Sequence, residues 1–404
     1  MNKWFYYRRL IRVVIGFIIE LAIIPWILSF ALAANFFKKK FDIGIGPEPL
    51  INNIYHAKAL KAKGYSVETF VNHVYYITDK FDRVLFCRSS RIIRIISNLL
   101  CLLFFSVIFR YRALYIYFNG GALLGTIFLW RFEPWLYKLA GIKIVVMPYG
   151  GDVQDLTHCQ NIHFRHVVGL DYPEHRKTRR MVDAKLNLWI NNADHVISGC
   201  DWVDYMHFWD TLMLSHFSID TIKSNTNHEI WSQARPLKIL HAPNHTNIKG
   251  TKYFLDAIEG LRAEGFQIEL VIVNGVENKR IRELIDAVDL VADQLIIGWY
   301  AMFAIEAMSA CKPVICYLRK DLLRFYEDVG LVNNCEIPII QSSVQDIKDV
   351  IRGLMLNPEL MHEAANRGPE YVEKYHSLES VGKVFDSINR SIGILPSVDL
   401  RAKL

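Results

Sequence analysis

The chain has 404 residues, which exceeds one ordinary hydrophobic core and predicts two domains of about 150 to 200 residues each. Its net charge of +6 is modest, and its Lys and Arg residues lie near apolar segments without the interleaved aromatics of an RNA-binding motif, which favours a membrane surface over nucleic acid as a partner. The seven cysteines are scattered without a C-x2-C pair, which argues for a reducing cytoplasm and against a zinc site or a disulfide framework.

An apolar segment near the amino terminus, residues 13–37, is long enough to cross a hydrocarbon core. Glu20 and Pro25 interrupt it, and no small-residue cleavage site followed by a polar sequence marks it as a removed signal peptide. Basic residues flank both ends, namely Arg8, Arg9 and Arg12, then Lys38, Lys39 and Lys40. Residues 1–40 are interpreted either as a spanning anchor or as a re-entrant or interfacial helix. The second interpretation is favoured, because basic residues at both ends prefer the cytoplasmic side and a central proline permits a bend.

The next segment, residues 41–225, is predicted to form an α/β domain. Apolar runs predict strands at residues 41–46, 65–71, 113–118, 142–147 and 193–198. Helices are predicted at residues 50–63, 91–109 and 178–190. Basic and aromatic residues flank the apolar body of the helix at 91–109, so it is either a buried helix of the sheet or a helix resting on a bilayer.

Two loops of this domain carry candidate site residues. Gly46 follows the first strand, where a glycine either lets the backbone approach a ligand or simply forms a tight turn. Asp152 follows Tyr149-Gly150-Gly151 and either caps the next segment or bonds an acceptor hydroxyl. Four histidines of residues 156–177 lack metal-ligand spacing and are interpreted as loop and surface residues: His158, His163, His166 and His175.

Residues 226–390 alternate between apolar strands and amphipathic helices. Strands are predicted at residues 239–242 and 268–273 and helices at 250–261 and 277–288, and the near-continuous apolar strands indicate a parallel sheet covered by helices on both faces. In residues 293–317 a strand and a Gly-aromatic turn lead into a helix that carries Glu306. A carboxylate at such a junction lies where α/β sheets bind nucleotides, and it can accept hydrogen bonds from ribose hydroxyls.

Three stretches of this half resemble the carboxy-terminal half of retaining glycosyltransferases of the GT-B fold, family 4 type. They are HAPNHTNIKGT (residues 241–251), VNGV (273–276) and GWYAMFAIEAM (298–308). The resemblance covers residues 237–390 in good register and residues 41–236 more loosely. It implies an α/β fold with two Rossmann-like domains, an acceptor-side domain at 41–225 and a nucleotide-sugar-binding domain at 226–390, preceded by the membrane-associated helix. A helix at 378–391 is expected to pack back across both domains, and residues 391–404 form a tail.

The resemblance also assigns candidate site residues. Lys249 and Gly250 match the Lys-Gly pair that holds the donor diphosphate, and Glu306 matches the second carboxylate of a Glu-x7-Glu pattern, which contacts the ribose. An ammonium beside a glycine backbone near a helix start suits a diphosphate. The implied catalytic residues are Lys249 and Asp152, and the implied donor-binding residues are Gly46, Lys249, Gly250, Gly275, Gly298, Trp299, Tyr300 and Glu306.

The chain departs from the family pattern at three places. Gly298 stands where the first carboxylate of the pattern is expected, which removes a side chain that usually contacts the transferred sugar. Asn244 and Thr246 stand where an Arg that holds the diphosphate is expected. Tyr149 replaces a histidine, so no imidazole base is available there. Backbone amides at Gly298 and at the following helix start are expected to stand in.

The resemblance implies transfer of a sugar from a nucleotide-diphosphate donor to a membrane-associated acceptor, a lipid-linked or surface saccharide, with retention and without a metal or other cofactor. The expected place is the cytoplasmic face of the plasma membrane, because a spanning helix with its basic start inside would separate the catalytic domain from nucleotide-sugars. Two alternatives remain open: a GT-B-fold sugar-nucleotide epimerase, and a catalytically inactive, membrane-tethered scaffold with the same fold.

Overall fold

The computed structural model describes residues 3–74, 78–85, 101–221 and 231–398, which form two parallel β-sheets with helices packed on them. The α/β class with two Rossmann-like sheets and an amino-terminal apolar helix is therefore confirmed. Most of the helix predicted at 91–109 lies outside the described residues, and its last part is helical from Leu102.

The first sheet has seven parallel strands in the order β3-β2-β1-β4-β5-β6-β7. The strands are β1 (Phe41–Ile45), β2 (Val67–Val71), β3 (Arg83–Val84), β4 (Tyr111–Tyr117), β5 (Lys143–Met147), β6 (His195–Gly199) and β7 (Thr211–Met213). The helices are α1 (Lys3–Ala34), α2 (Asn52–Ala62), α3 (Leu102–Ile108), α4 (Glu133–Leu139), α5 (Ile162–Asp171) and α6 (His175–Ile190), with 3₁₀ turns at Leu129–Phe132 and Cys200–Asp204.

The second sheet has five parallel strands in the order β12-β11-β10-β8-β9. They are β8 (Leu237–His241), β9 (Ile268–Ile272), β10 (Leu290–Ala292), β11 (Val314–Cys316) and β12 (Ile339–Gln341). The helices are α7 (Thr246–Lys249), α8 (Thr251–Ala263), α9 (Asn278–Asp286), α10 (Met302–Ser309), α11 (Lys320–Asp328), α12 (Ile347–Leu356), α13 (Glu359–His376) and α14 (Leu378–Ser391). The chain runs from β8 to β9 on one side and returns to β10 on the other, so the strand order reverses between β8 and β10.

The last helix, α14, returns to the first domain as expected. Its Phe385 ring lies 5.3 Å from the ring of Tyr115 on β4, and its Asn389 accepts a hydrogen bond from the Tyr115 hydroxyl at 3.1 Å. The hydroxyl of Tyr65 donates to Asp386 at 2.7 Å. Because α14 follows the second domain in sequence but packs on the first, it fastens one domain to the other.

Further contacts join the two sheets directly. The Arg319 guanidinium, at the start of α11, forms a buried ion pair with Asp204 of the first domain at 2.5 Å. The indole of Trp299 donates to the carbonyl oxygen of Leu214 at 3.1 Å. Asn161 caps α5 by accepting from the amide of Phe164 and also donates to the carbonyl of Ile296, so this cap is tied to the second domain.

Candidate active site

A cavity of about 160 Å³ lies where the strand order of the second sheet reverses. Ligands of open α/β sheets bind outside the carboxyl ends of the strands at such a point. The cavity is lined by residues that follow β8 and β9, by residues of α9 and α10, and by one residue of the first domain: Ala242, Asn244, Val273 to Val276, Asn278, Ile281, Met302, Phe303, Glu306 and Ile51. Two predicted donor-binding residues, Gly275 and Glu306, therefore share one cavity.

Glu306 lies on the wall of this cavity with 6% of its surface exposed. Its carboxylate accepts hydrogen bonds from the amide of Asn278, at 2.9 and 3.1 Å, and from Nε of Arg282 at 3.3 Å. Burial raises the pKa of Glu306, while the bonds from Asn278 and Arg282 act in the opposite direction. The carboxylate is thus held by two donors from α9 and is available at the edge of the cavity as a hydrogen-bond acceptor.

Arg282 extends this arrangement across the gap between the domains. Its Nη2 donates to the hydroxyl of Tyr55 on α2 at 3.0 Å. A second cavity, of about 650 Å³, opens beside this contact and is lined from both domains by polar and charged residues that include Lys58, Asp220 and Lys279. No sequence motif marks Asn278, Arg282 or Tyr55, but the four-residue spacing of Asn278 and Arg282 places both on one face of α9.

Lys249 ends the short helix α7, and its ammonium pairs with the carboxylate of Asp293, directly after β10, at 2.5 Å. The Lys249 side chain is 14% exposed and that of Asp293 is fully buried. Gly250 follows with a φ of +75°, a left-handed conformation that lets α7 turn into α8 while a β-carbon there would lie 3.3 Å from that of Leu295. The structure therefore places the predicted diphosphate lysine at the sheet edge beside a carboxylate that offsets its charge.

Gly298 has a φ of +99°, and Arg319 fills the space beside it. Trp299 and Tyr300, which follow, are buried rather than facing the cavity. The Tyr300 hydroxyl bonds the hydroxyl of Tyr371 at 2.6 Å and Nε2 of His376 at 2.9 Å. Contact of either aromatic residue with a donor would therefore involve the backbone, because both side chains are packed in the core.

On the first domain, Asp152 organises the loop after β5. Its buried carboxylate accepts from the backbone amides of Tyr149, Gly150 and Phe118 at 3.0, 2.9 and 3.1 Å. Burial raises the pKa of Asp152 to about 7, against the effect of these bonds. All three amides precede Asp152 in the chain, so these bonds organise the loop itself and do not cap the segment that follows, while a bond to an acceptor hydroxyl stays a prediction. Gly46 lies so close to β2 that a β-carbon would stand 2.0 Å from the carbonyl oxygen of Phe70, which is a packing reason for glycine.

A polar cluster lies at the carboxyl ends of β1, β4 and β5, and Tyr149 is the one member that the family pattern indicated from the sequence. The amide of Asn119 donates to Glu48 at 3.0 Å and to the hydroxyl of Tyr149 at 2.6 Å. Burial lowers the pKa of Lys185 of α6, while the carboxylates of Glu133, Glu48 and Asp152 act in the opposite direction. Each of the three loop residues comes shortly after a predicted strand, so their common edge was deducible. In the described parts of the chain, no group of three His, Cys, Asp or Glu residues has the arrangement of a metal site.

Comparison with solved structures identifies this architecture. Sucrose-phosphate synthase from Thermosynechococcus elongatus matches with a TM-score of 0.55 at 13% identity, over 88% of this chain and 99% of that one. HepE from Anabaena, solved in complex with UDP and glucose, matches with a TM-score of 0.55 at 12% identity, over 87% and 100% of the two chains. The chain has the GT-B fold.

A third GT-B structure, WaaG, a glycosyltransferase involved in lipopolysaccharide biosynthesis, matches with a TM-score of 0.52 at 12% identity, over 87% of this chain and 100% of that one. No protein-family model matches the chain, and no curated protein matches it by sequence. At these identities the likeness establishes the GT-B fold, and the chemistry has to be argued from the site.

Proposed function

We propose that this GT-B protein transfers a sugar, with retention of configuration, from a nucleotide-diphosphate donor to a membrane-associated saccharide acceptor at the cytoplasmic face of the membrane. The observation that carries the proposal is the buried carboxylate of Glu306 on the wall of a cavity at the point where the strand order reverses. A carboxylate held in that place is an acceptor for ribose hydroxyls. The solved complexes of HepE with UDP-glucose, and with UDP and glucose, support a nucleotide-sugar as the donor.

The proposed chemistry is electrostatic. Departure of a nucleoside diphosphate builds negative charge, and the amino-terminal amides of α10, which begins at Met302 beside the cavity, point positive charge at it. The Lys249 ammonium has three protons and uses one on Asp293, so two remain for phosphate oxygens. The proposal includes no resident metal or other cofactor.

The acceptor is proposed to meet the donor at the first domain. The polar cluster at the carboxyl edge of the first sheet consists of Glu48, Asn119 and Tyr149. Its side chains offer both hydrogen-bond donors and acceptors to the hydroxyl groups of a saccharide. Membrane association of that acceptor is supported by the long apolar stretch of α1, Val13–Ala34, the one helix in the described residues that is long and apolar enough to cross a membrane.

A second candidate, a catalytically inactive GT-B protein, is favoured by one observation. Arg319 occupies the space beside Gly298, where the family pattern places its first carboxylate, so a contact to the transferred sugar is replaced by an internal one. Such a protein would still bind a nucleotide.

The experiment that separates the candidates measures nucleotide release from UDP-, GDP- and ADP-sugars in the presence of membranes, together with equilibrium binding of the same nucleotides. We expect sugar transfer with one donor by the wild-type protein and its loss in Glu306→Ala. Binding of a nucleotide without transfer or hydrolysis of any donor would establish the inactive protein instead. Release of a free epimerised sugar nucleotide would identify an epimerase.

A further inference from the structure

The helix α1 lies along the first domain through most of its apolar length. Its buried residues recur every three, four or seven positions, which places them on one face of the helix: Gly16, Glu20, Ile27, Ala31 and Ala34. That face packs against α3 and α4. The helix continues through Pro25 as one 32-residue element of roughly 48 Å, so the return that a re-entrant hairpin requires does not occur within Lys3–Ala34.

Glu20 fixes this packing chemically. Only 1% of its surface is exposed, and its carboxylate accepts from three successive backbone amides of the domain, those of Ile127 at 2.5 Å, Phe128 at 2.9 Å and Leu129 at 3.2 Å. The first two amides precede the 3₁₀ turn Leu129–Phe132 and the third belongs to its first residue, so the carboxylate bonds amides that the start of the turn leaves without backbone partners. The one acidic residue of the apolar stretch is therefore satisfied by the globular domain.

The opposite side of α1 is exposed and apolar, and the apolar surface continues onto the domain. Ring contacts connect the two, between Phe17 and Phe128 at 5.1 Å and between Phe30 and Phe105 at 5.3 Å. We define the outer apolar face as the exposed apolar residues of α1 together with three exposed residues of the domain, Leu102, Phe132 and Trp135. Exposed cations lie close to its members in the sequence: Lys38 and Lys40 follow α1, Arg131 precedes Phe132, and Lys138 follows Trp135 by three residues.

We propose that the outer apolar face is a monotopic membrane-binding surface: α1 lies in the plane of one leaflet, still docked on the domain, and Phe132 and Trp135 enter the same leaflet. An exposed apolar surface of this kind, with exposed cations close to its members in the sequence, matches a bilayer with anionic headgroups. A spanning α1 is disfavoured, because either the three bonds to Glu20 break inside hydrocarbon or the 3₁₀ turn with its loop enters the membrane core. This surface does not depend on the proposed sugar transfer.

The test uses residues outside α1, which a simple anchor leaves in water. Trp135 is 53% exposed, so Trp135→Asp is expected to keep the fold, and it places a charge in the leaflet only if the domain itself enters it. We expect flotation of the detergent-free protein with vesicles of phosphatidylethanolamine and phosphatidylglycerol to fall roughly tenfold. Leu360→Asp, at an exposed leucine of α13 in the second domain, is the matched control and should float like the wild type.

Three results would overturn the proposal. The first is equal flotation of Trp135→Asp and Leu360→Asp. The second is a dimeric wild-type protein and a monomeric Trp135→Asp variant that float equally well. That result would make the face an interface between copies of the chain. The third is labelling of Asn2→Cys and Asn35→Cys from opposite sides of sealed native vesicles, whereas a monotopic α1 exposes both to the cytoplasmic side. Trp135→Ser, with a smaller expected loss, replaces Trp135→Asp if the thermal transition shows that the aspartate variant does not fold.

Discussion

Arg319 packs directly against Gly298: a β-carbon built on this glycine would stand 2.6 Å from both Cγ and Cδ of Arg319. The same guanidinium forms the buried ion pair with Asp204 that joins the two domains. The glycine at the position of the family's first carboxylate therefore has a structural reason in this chain, since a side chain there would displace an interdomain contact.

This relationship predicts that Gly298→Ala is destabilising for two reasons. The φ of +99° costs an L-residue roughly 1–3 kcal/mol, and the displaced Arg319 weakens its pair with Asp204. Gly265→Ala is the matched control, because Gly265 has a φ of +95° and a β-carbon there would meet nothing within 4 Å, so it bears only the backbone cost. Thermal unfolding should show a larger loss for Gly298→Ala, and equal losses would mean that Arg319 moves aside freely.

The second prediction concerns the contribution of Glu306 to nucleotide binding. Removing a buried charged acceptor from the cavity wall should weaken UDP binding by roughly 1.5–3 kcal/mol, the range of hydrogen bonds to charged groups. Calorimetric titration of UDP into Glu306→Ala measures this loss. Glu259→Ala, which removes an exposed carboxylate of α8, should bind like the wild type. Wild-type affinity in a folded Glu306→Ala protein would exclude Glu306 from the nucleotide site.

Sequence patterns located some strands of this protein but misplaced β10, which ends at Ala292, before the strand predicted at the start of residues 293–317. The strands β8 and β9 are mostly apolar, although Lys238 and His241 lie in β8 and Glu269 lies in β9, and this composition located both strands within one or two residues. The pairing of Lys249 with Asp293 joins residues 44 positions apart, and that of Arg319 with Asp204 joins residues 115 apart. Periodicity contains no information on such contacts. Trp299 and Tyr300 illustrate the same limit, because an aromatic pair in a turn suits both a ligand contact and a buried core.

A third prediction concerns pH and Asp152. Folding raises the pKa of Asp152 to about 7 from an unfolded value of about 4. The contribution of Asp152 to stability is therefore largest below pH 4 and declines as the pH rises toward 7. Buried histidines such as His56, whose pKa burial lowers to about 3, act in the opposite direction in the wild-type protein. The informative quantity is therefore the difference between wild type and Asp152→Asn.

The thermal stability of the wild type relative to Asp152→Asn should be highest at acidic pH and should fall as the pH approaches 7. Asp152 titrates over this range and asparagine does not. The matched substitution is Asp194→Asn, in which the replaced carboxylate is partly exposed and bonds Lys143. A difference between wild type and Asp152→Asn that stays constant between pH 4 and pH 7 would contradict the raised pKa.

The last prediction separates two roles of Lys249. Lys249→Met leaves the fully buried Asp293 carboxylate without its partner, which should cost roughly 3–5 kcal/mol of stability. The double variant Lys249→Met/Asp293→Asn removes the uncompensated charge, so its thermal stability should return close to that of the wild type. If Lys249 also holds the donor diphosphate, turnover in the double variant should remain lower by roughly two to three orders of magnitude, as for the loss of a preorganised donor.

Lys249→Arg tests the shape of the same site. The planar guanidinium keeps the charge but directs its protons in a fixed fork, so it should preserve the pair with Asp293 and restore turnover only in part. The turnover of Lys249→Arg and that of the double variant are both measured as nucleotide release at saturating donor. Thermal unfolding is followed on the same samples. Wild-type turnover in the stable double variant would show that Lys249 acts only as the partner of Asp293, and the diphosphate would then depend on the amides at the start of α10.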